Sequence, residues 1–230
     1  MSISICDNVR DVLRRIEKSA RRAGRNPKEV TLIGVTKTVD VARMLSAFEC
    51  GITHFGENRA QSARKKWEEL KDLPVTWHFI GNLQRNKVKY VVRFCEFIHS
   101  VESLELAREI NKRAEQLGKV QKIMIEVNIS GEETKHGIKP EEVENLVMEI
   151  EKLPNLKFVG LMTMAPFVED PEEVRWIFRK LRELRDDILK RHGYDFLHLS
   201  MGMTNDFEVA VEEGATMVRI GTAIFGRRDE

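Results

Sequence analysis

Thr31-Leu32-Ile33-Gly34-Val35-Thr36-Lys37 is a short apolar, β-branched run that stops at a lysine and is followed by Thr38-Val39-Asp40. It reads as a buried strand whose last residue is charged. In parallel barrels and open α/β sheets the carboxyl ends of the strands carry the chemistry. Two readings of Lys37 compete. In one it lays its stem on apolar neighbours and keeps its ammonium in water. In the other a desolvated, cation-rich pocket makes its amine nucleophilic toward an aldehyde.

Around this run the chain keeps a strand–helix beat. Ile5, Val9, Val12, Leu13 and Ile16 fall at helical spacing within a predicted helix from Ile3 to Ala23, with Gly24 and Pro27 as stop signals. Seven further strands are predicted: 52–55, 75–81, 97–101, 120–128, 158–162, 196–200 and 215–220. Helices are predicted between them, through Val41–Phe48, Asn58–Leu70, Leu83–Val92, Ser103–Leu117 with Ser103 as N-cap, onward from Pro140, from Pro171 to Lys190, and through Val209. Eight strand–helix units without a low-complexity linker match one (β/α)8 TIM-type barrel domain over residues 1–230 with an extra N-terminal helix. A doubly wound open sheet is the rival, because periodicity fixes alternation but not closure.

Composition narrows the partner. The 230 residues hold 38 Lys plus Arg against 37 Asp plus Glu, a net charge of +1, so no overall excess marks the chain for nucleic acid or a membrane surface. A small-molecule partner is expected. Cys6, Cys50 and Cys95 are widely spaced, odd in number and free of a CxxC pair, which suggests neither a disulfide framework nor a zinc site and fits a reducing cytosol. Asp7, Arg10 and Asp11 interrupt any signal-peptide core, and no apolar run approaches membrane-spanning length. A cytoplasmic location is expected.

The predicted strand ends share a character. Ser200-Met201-Gly202-Met203-Thr204 follows the seventh strand and Gly221-Thr222-Ala223-Ile224-Phe225-Gly226 the eighth, the two loops from which barrels often build a phosphate site. Arg219 interrupts the apolar run Met217–Ile220, and alternation with Val218 and Ile220 aims it into the barrel mouth. A structural ion pair with Glu57 or Glu126 is the alternative. Asn58 reads as a ligand contact or a helix N-cap, and His78 as a ligand contact or a satisfied core histidine. Amine, anion cradle and buried cation together suit an aldehyde that also bears a phosphate, and pyridoxal 5′-phosphate (PLP) is such a molecule.

Val35-Thr36-Lys37, His54-Phe55-Gly56-Glu57-Asn58, the run His78–Lys87, Leu199-Ser200-Met201-Gly202-Met203 and Val218-Arg219-Ile220-Gly221-Thr222 together resemble the pyridoxal phosphate homeostasis protein family (YggS/PROSC). The resemblance covers nearly the whole chain. It implies the barrel of the alanine racemase N-terminal domain, PLP as cofactor held as a Schiff base on Lys37, and a PLP carrier or regulator without catalytic turnover. It also implies that Ser200, Gly221 and Thr222 hold the phosphate, that Arg219 faces the pyridine nitrogen, and that Asn58, His78 and Gly202 belong to the site. The family's serine or threonine after Met-Gly-Met is Thr204 here.

An arginine at the ring nitrogen does not surrender its proton, which disfavours transamination. Racemisation is the alternative, but it needs a second base on the opposite face. In alanine racemase that base resembles a tyrosine from a partner's second domain. The chain stops at Glu230, leaving no room for such a domain, and Tyr90 and Tyr194 read as packing residues. A third possibility is a barrel enzyme that uses Lys37 on a phosphorylated aldehyde sugar. A monomer is expected, with PLP-dependent apoenzymes as possible recipients of PLP.

Overall fold

The computed structural model describes residues 4–132 and 135–226. Helix α1 (Ile5–Arg22) precedes β1 (Thr31–Val35), α2 (Val41–Glu49), β2 (His54–Glu57), α3 (Ala60–Leu70), β3 (Thr76–Phe79), α4 (Val88–Val91), β4 (Phe97–Val101) and α5 (Leu104–Gln116). Then come β5 (Gln121–Glu126), α6 (Val143–Ile150), β6 (Leu156–Met162), α7 (Arg175–His192), β7 (His198–Ser200), α8 (Phe207–Glu212), β8 (Met217–Ile220) and α9 (Thr222–Phe225). All eight strands are parallel, and β8 pairs back onto β1, from Thr31 beside Met217 to Gly34 beside Ile220. The sheet is therefore a closed barrel, and the open-sheet alternative falls. Every strand end points to one mouth, with Lys37 two residues beyond β1.

Local chemistry sets the helices. The Ser4 hydroxyl caps α1 by accepting from the Asp7 N–H, and Val9, Val12, Ile16 and Ala20 bury one face. Leu13, expected on that face, is 44% exposed. Ser103 caps α5 as expected, accepting from Leu106 N at 3.2 Å. The helix expected over 83–92 is a 3-10 turn, Arg85–Lys87, followed by only four α-helical residues. Helix α1 lies outside the barrel against α8, α9 and α2. Arg15 pairs with Glu208 (2.9 Å), Asn8 Nδ2 donates to Ile224 O (2.9 Å), and Arg25 donates to the carbonyls of Val211 and Ala215.

One expectation is corrected here. Cys6, in the first turn of α1, and Cys50, at the C-cap of α2, form a disulfide with Cα atoms 5.2 Å apart. Residues 44 apart in sequence meet because α1 packs across the end of α2, a tertiary proximity that spacing does not reveal. The pair is a structural staple rather than two free thiols. Cys95 is free and buried, and burial pushes its thiol up.

The main core fills the space between strands and helices. The barrel lumen is separate and mixed. Ile33, Phe97, Met124, Val159, Met162 and Met217 form its apolar cluster. Fully or nearly fully buried His78, His99, Ser200, Glu126 and Arg219 make up a polar part, where barrel interiors are usually branched aliphatics. Among the described residues no helix is long and apolar enough to cross a membrane.

Candidate functional site

The end of β1 is bolted in place. Thr36 N–H donates to Gly56 O (3.0 Å), its hydroxyl donates to Glu57 Oε1 (2.6 Å), and Lys66 Nζ from α3 reaches both Glu57 Oε1 (2.6 Å) and Thr36 O. Glu57 is completely buried and its charge is met by Lys66, not by Arg219. The next side chain, Lys37, projects exposed into a cavity of about 490 Å³.

Val35, Ile80, Met164, Pro166 and Phe167 supply the cavity's apolar wall, and Asn58, Thr204, Asp206, Arg219, Gly221 and Thr222 its polar one. Arg219 is 3% exposed, held by donation to Ser200 Oγ (2.7 Å) and Thr163 O (2.9 Å), with no ion pair among the described residues. Two hydrogen bonds leave guanidinium N–H groups over for the cavity. Burial lowers its pKa to about 10, opposed by Glu126 and Asp206 nearby. Burial and then Glu102 raise the Glu126 carboxyl to about 7. Asn58 does not cap α3, since Arg59 occupies that position without a side-chain bond. Its Oδ1 is buried and has no hydrogen-bond partner among the described residues. Gly81 lets the chain pass this close: a Cβ there would lie 2.4 Å from Asn58 O.

The two loops after β7 and β8 meet at the cavity. Thr204 Oγ1 accepts from Ala223 N (3.3 Å), and the N–H groups of Thr204, Asn205 and Thr222 have no backbone acceptor among the described residues. Asp206 Oδ1 turns the first loop by accepting from Met203 N (2.6 Å).

Of the residues singled out in the sequence, Lys37, Asn58, Arg219, Gly221 and Thr222 share this cavity. His78, Ser200 and Gly202 do not line it. His78 and Ser200 are fully buried beneath it, and Gly202 supports it from behind. At φ +94° a Cβ on Gly202 would stand 2.7 Å from Ala210 Cβ, while its carbonyl accepts from Arg219 N (2.9 Å). A larger cleft of about 1020 Å³ shares Asn58 but lies over α3 and the turn after β3, away from Lys37 and Arg219.

Residues 8–229 match the alanine racemase N-terminal domain family. The chain is 50% identical over 226 residues to the pyridoxal phosphate homeostasis protein of Aquifex aeolicus, covering 98% of this chain and 99% of that one. It belongs to the pyridoxal phosphate homeostasis protein family. A solved relative is PipY of Synechococcus elongatus with PLP bound, 34% identical with a TM-score of 0.81, covering 92% of this chain and all of the other. The barrel is also similar in fold to an alanine racemase of Clostridium difficile, 17% identical with a TM-score of 0.75, spanning 97% of this chain and 58% of the racemase.

Membership in the family leaves part of this site unforeseen. Met164, Pro166 and Phe167, from the loop after β6, and Asp206 were not anticipated as cavity residues. Phe167 is 80% exposed, and the apolar run Met164-Ala165-Pro166-Phe167-Val168 beyond a strand end was the available signal. His54 and His99 were missed too, although four of the six histidines lie inside predicted strands.

Proposed function

We propose that the chain binds PLP at the barrel mouth and acts in intracellular PLP homeostasis as a carrier or regulator rather than a catalyst. The observation that carries this reading is one cavity holding an exposed amine at Lys37, a buried guanidinium with N–H groups to spare at Arg219, and an orphaned buried oxygen at Asn58. These residues fit PLP, which brings an aldehyde, a ring nitrogen and a phosphate dianion. Lys37 supplies the amine that condenses with the aldehyde, releasing water. Arg219 donates to the ring nitrogen and keeps its own proton. The hydroxyls of Thr204 and Thr222 and the free N–H groups beside them take the phosphate.

No tyrosine lines the cavity among the described residues. Tyr90 is in α4, and Tyr194 donates to Glu151 at the far end of the barrel. Among the described residues Asp206 is the one carboxylate on the wall, and its Oδ1 accepts from Met203 N. The Met203 and Phe167 side of the cavity is open to water, which favours release over turnover. The protein is read as a cytoplasmic monomer that passes PLP to apoenzymes.

The test is an absorbance spectrum of protein incubated with PLP, borohydride reduction, and mass mapping of the adduct. A visible band and an adduct on Lys37, both absent in Lys37→Ala, are expected. An adduct on another lysine overturns the assignment. Chiral analysis after incubation with L-alanine and other amino acids should show no turnover, and Lys37-dependent racemisation would replace the carrier with the racemase. Thr204→Ala with Thr222→Ala should weaken PLP roughly tenfold or more while sparing pyridoxal, since hydrogen bonds to a charged group are worth about 1.5–3 kcal/mol. Ser200→Ala, acting through Arg219, should weaken both ligands alike.

A further inference from the structure

Arg219 is the mouth end of a polar series whose other members do not line the cavity. His54 Nδ1 lies 2.9 Å from His78 Nε2, His78 Nδ1 lies 2.8 Å from His99 Nε2, and His99 Nδ1 lies 2.7 Å from Ser200 Oγ. Ser200 Oγ also accepts from Arg219, at 2.7 Å. The five side chains come from β2, β3, β4, β7 and β8 and cross the lumen from floor to mouth. His78, His99 and Ser200 are fully buried; His54, at the start of β2, is the partly exposed end.

A neutral imidazole has one N–H and one lone pair, and each of these contacts needs one of each. One direction chosen anywhere therefore sets the whole series. If Ser200 donates to His99, all three histidines carry their proton on Nε2. If the series runs the other way, all three carry it on Nδ1. Ser200 then accepts from both His99 and Arg219, and its own hydrogen has no acceptor among the described residues. Only the first arrangement satisfies every buried donor.

We propose that His54, His78 and His99 are positioning residues for Arg219: a single-tautomer relay, all Nε2–H, that keeps Ser200 as a donor to His99 and an acceptor for the guanidinium. A proton bound at His54 reverses the relay. Protonated His54 must donate from Nδ1, so His78 and His99 each exchange an Nε2 proton for one on Nδ1, and Ser200 turns its hydrogen away. One proton enters from solvent and none is lost. Ser200 then serves two donors, and its hold on Arg219 loosens.

The surroundings place the charge at His54. Phe97 stacks on His78 at 4.8 Å and an interplanar angle of 3°, fixing that ring. Lys122, paired with Glu96 (2.6 Å), and His198, bonded to Thr216 (3.1 Å), flank the lower part of the lumen. Arg219, with Glu126 and Asp206 beyond it, sits at the upper end. Burial holds all three imidazoles below their ordinary value, most strongly His78 and His99, where neighbouring Arg219, Lys122 and His198 add to the effect.

Long-range proton–nitrogen correlation spectra of the 15N-histidine-labelled full chain without PLP test the relay. Near neutral pH all three should be Nε2–H. As the pH is lowered below the ordinary imidazole value, His99 should change to Nδ1–H, still neutral, at the midpoint of His54 protonation. In His54→Gln that change should vanish. A mixed set of tautomers at neutrality, a His99 unmoved while His54 titrates, or a change surviving in His54→Gln overturns the proposal. If the variant does not fold, the wild-type titration decides. A second measurement rests on the PLP reading: acid should weaken PLP binding roughly fivefold more in the wild type than in His54→Gln, comparable with part of one charged hydrogen bond. Equal weakening severs the relay from the cavity, whereas failure to bind PLP at any pH sinks that reading and leaves the tautomer result standing.

Discussion

At the scale of the residue, the placement of Lys37 depends on a neighbouring ion pair that never enters the cavity. Glu57 is fully buried and Lys66 only 12% exposed, so their 2.6 Å pair is an interior ion pair that also clamps Thr36. Removing one partner from such a pair strands the other charge. Lys66→Met is expected to cost about 3–5 kcal/mol in urea unfolding, and it should slow adduct formation at Lys37. Glu126 works the other way. Its folded pKa near 7 lies above the unfolded value near 4.5, so the folded state binds more protons than the unfolded state between those values. Stability from this group is full below about pH 4.5 and is lost as pH rises through 7. Glu126→Gln should therefore gain on the wild type between those pH values, levelling at roughly 3–4 kcal/mol above them. Denaturant curves near pH 4.5 and pH 8 measure the difference, and a gap that does not widen with pH would refute the burial argument.

At the scale of the element, periodicity located every strand, and strand ends moved by a few residues. The misjudged elements were short ones. The run 83–92 carries Leu83, Val88, Val91 and Val92 in the core, yet it builds only a 3-10 turn and four helical residues, because the chain needs little length to cross from β3 to β4. Helix α1 was legible, but not its place. The Cys6–Cys50 bridge ties it to α2 and closes a loop of 44 residues. By loop entropy, such a closure is worth about 2–4 kcal/mol. Cys6→Ser should lower stability by about that amount under oxidising conditions, and reductant should bring the wild type down to the variant. A wild type indifferent to reductant would mean that the bridge contributes nothing.

At the scale of the whole molecule, the barrel keeps its lumen polar at the expense of acid stability. His54, His78, His99 and His198 are all held neutral by burial, His198 to about 4. Below about pH 6.5 the unfolded chain binds more protons at these sites than the folded one. Their combined contribution is therefore full above 6.5 and is lost as pH falls toward the folded values. This is opposite in sign to Glu126, and four groups outweigh one. Thermal unfolding should show a midpoint that drops steeply between about pH 6.5 and pH 4, and substituting His198 by Gln should soften the drop.

What the amino-acid order determined by itself was the alternation of eight strands with helices, the glycine and hydroxyl loops after the seventh and eighth strands, and the chemical character of Lys37 and Arg219. These are local properties, set by spacing and residue type along a few turns of chain. Closure of the sheet, the meeting of Cys6 with Cys50, and the sorting of Ser200 and His78 below the cavity instead of onto its wall were decided only by tertiary structure. The reason is that a strand residue's inward direction follows from alternation, but its depth in the lumen depends on the stagger between strands. That stagger exists only when β8 has paired with β1.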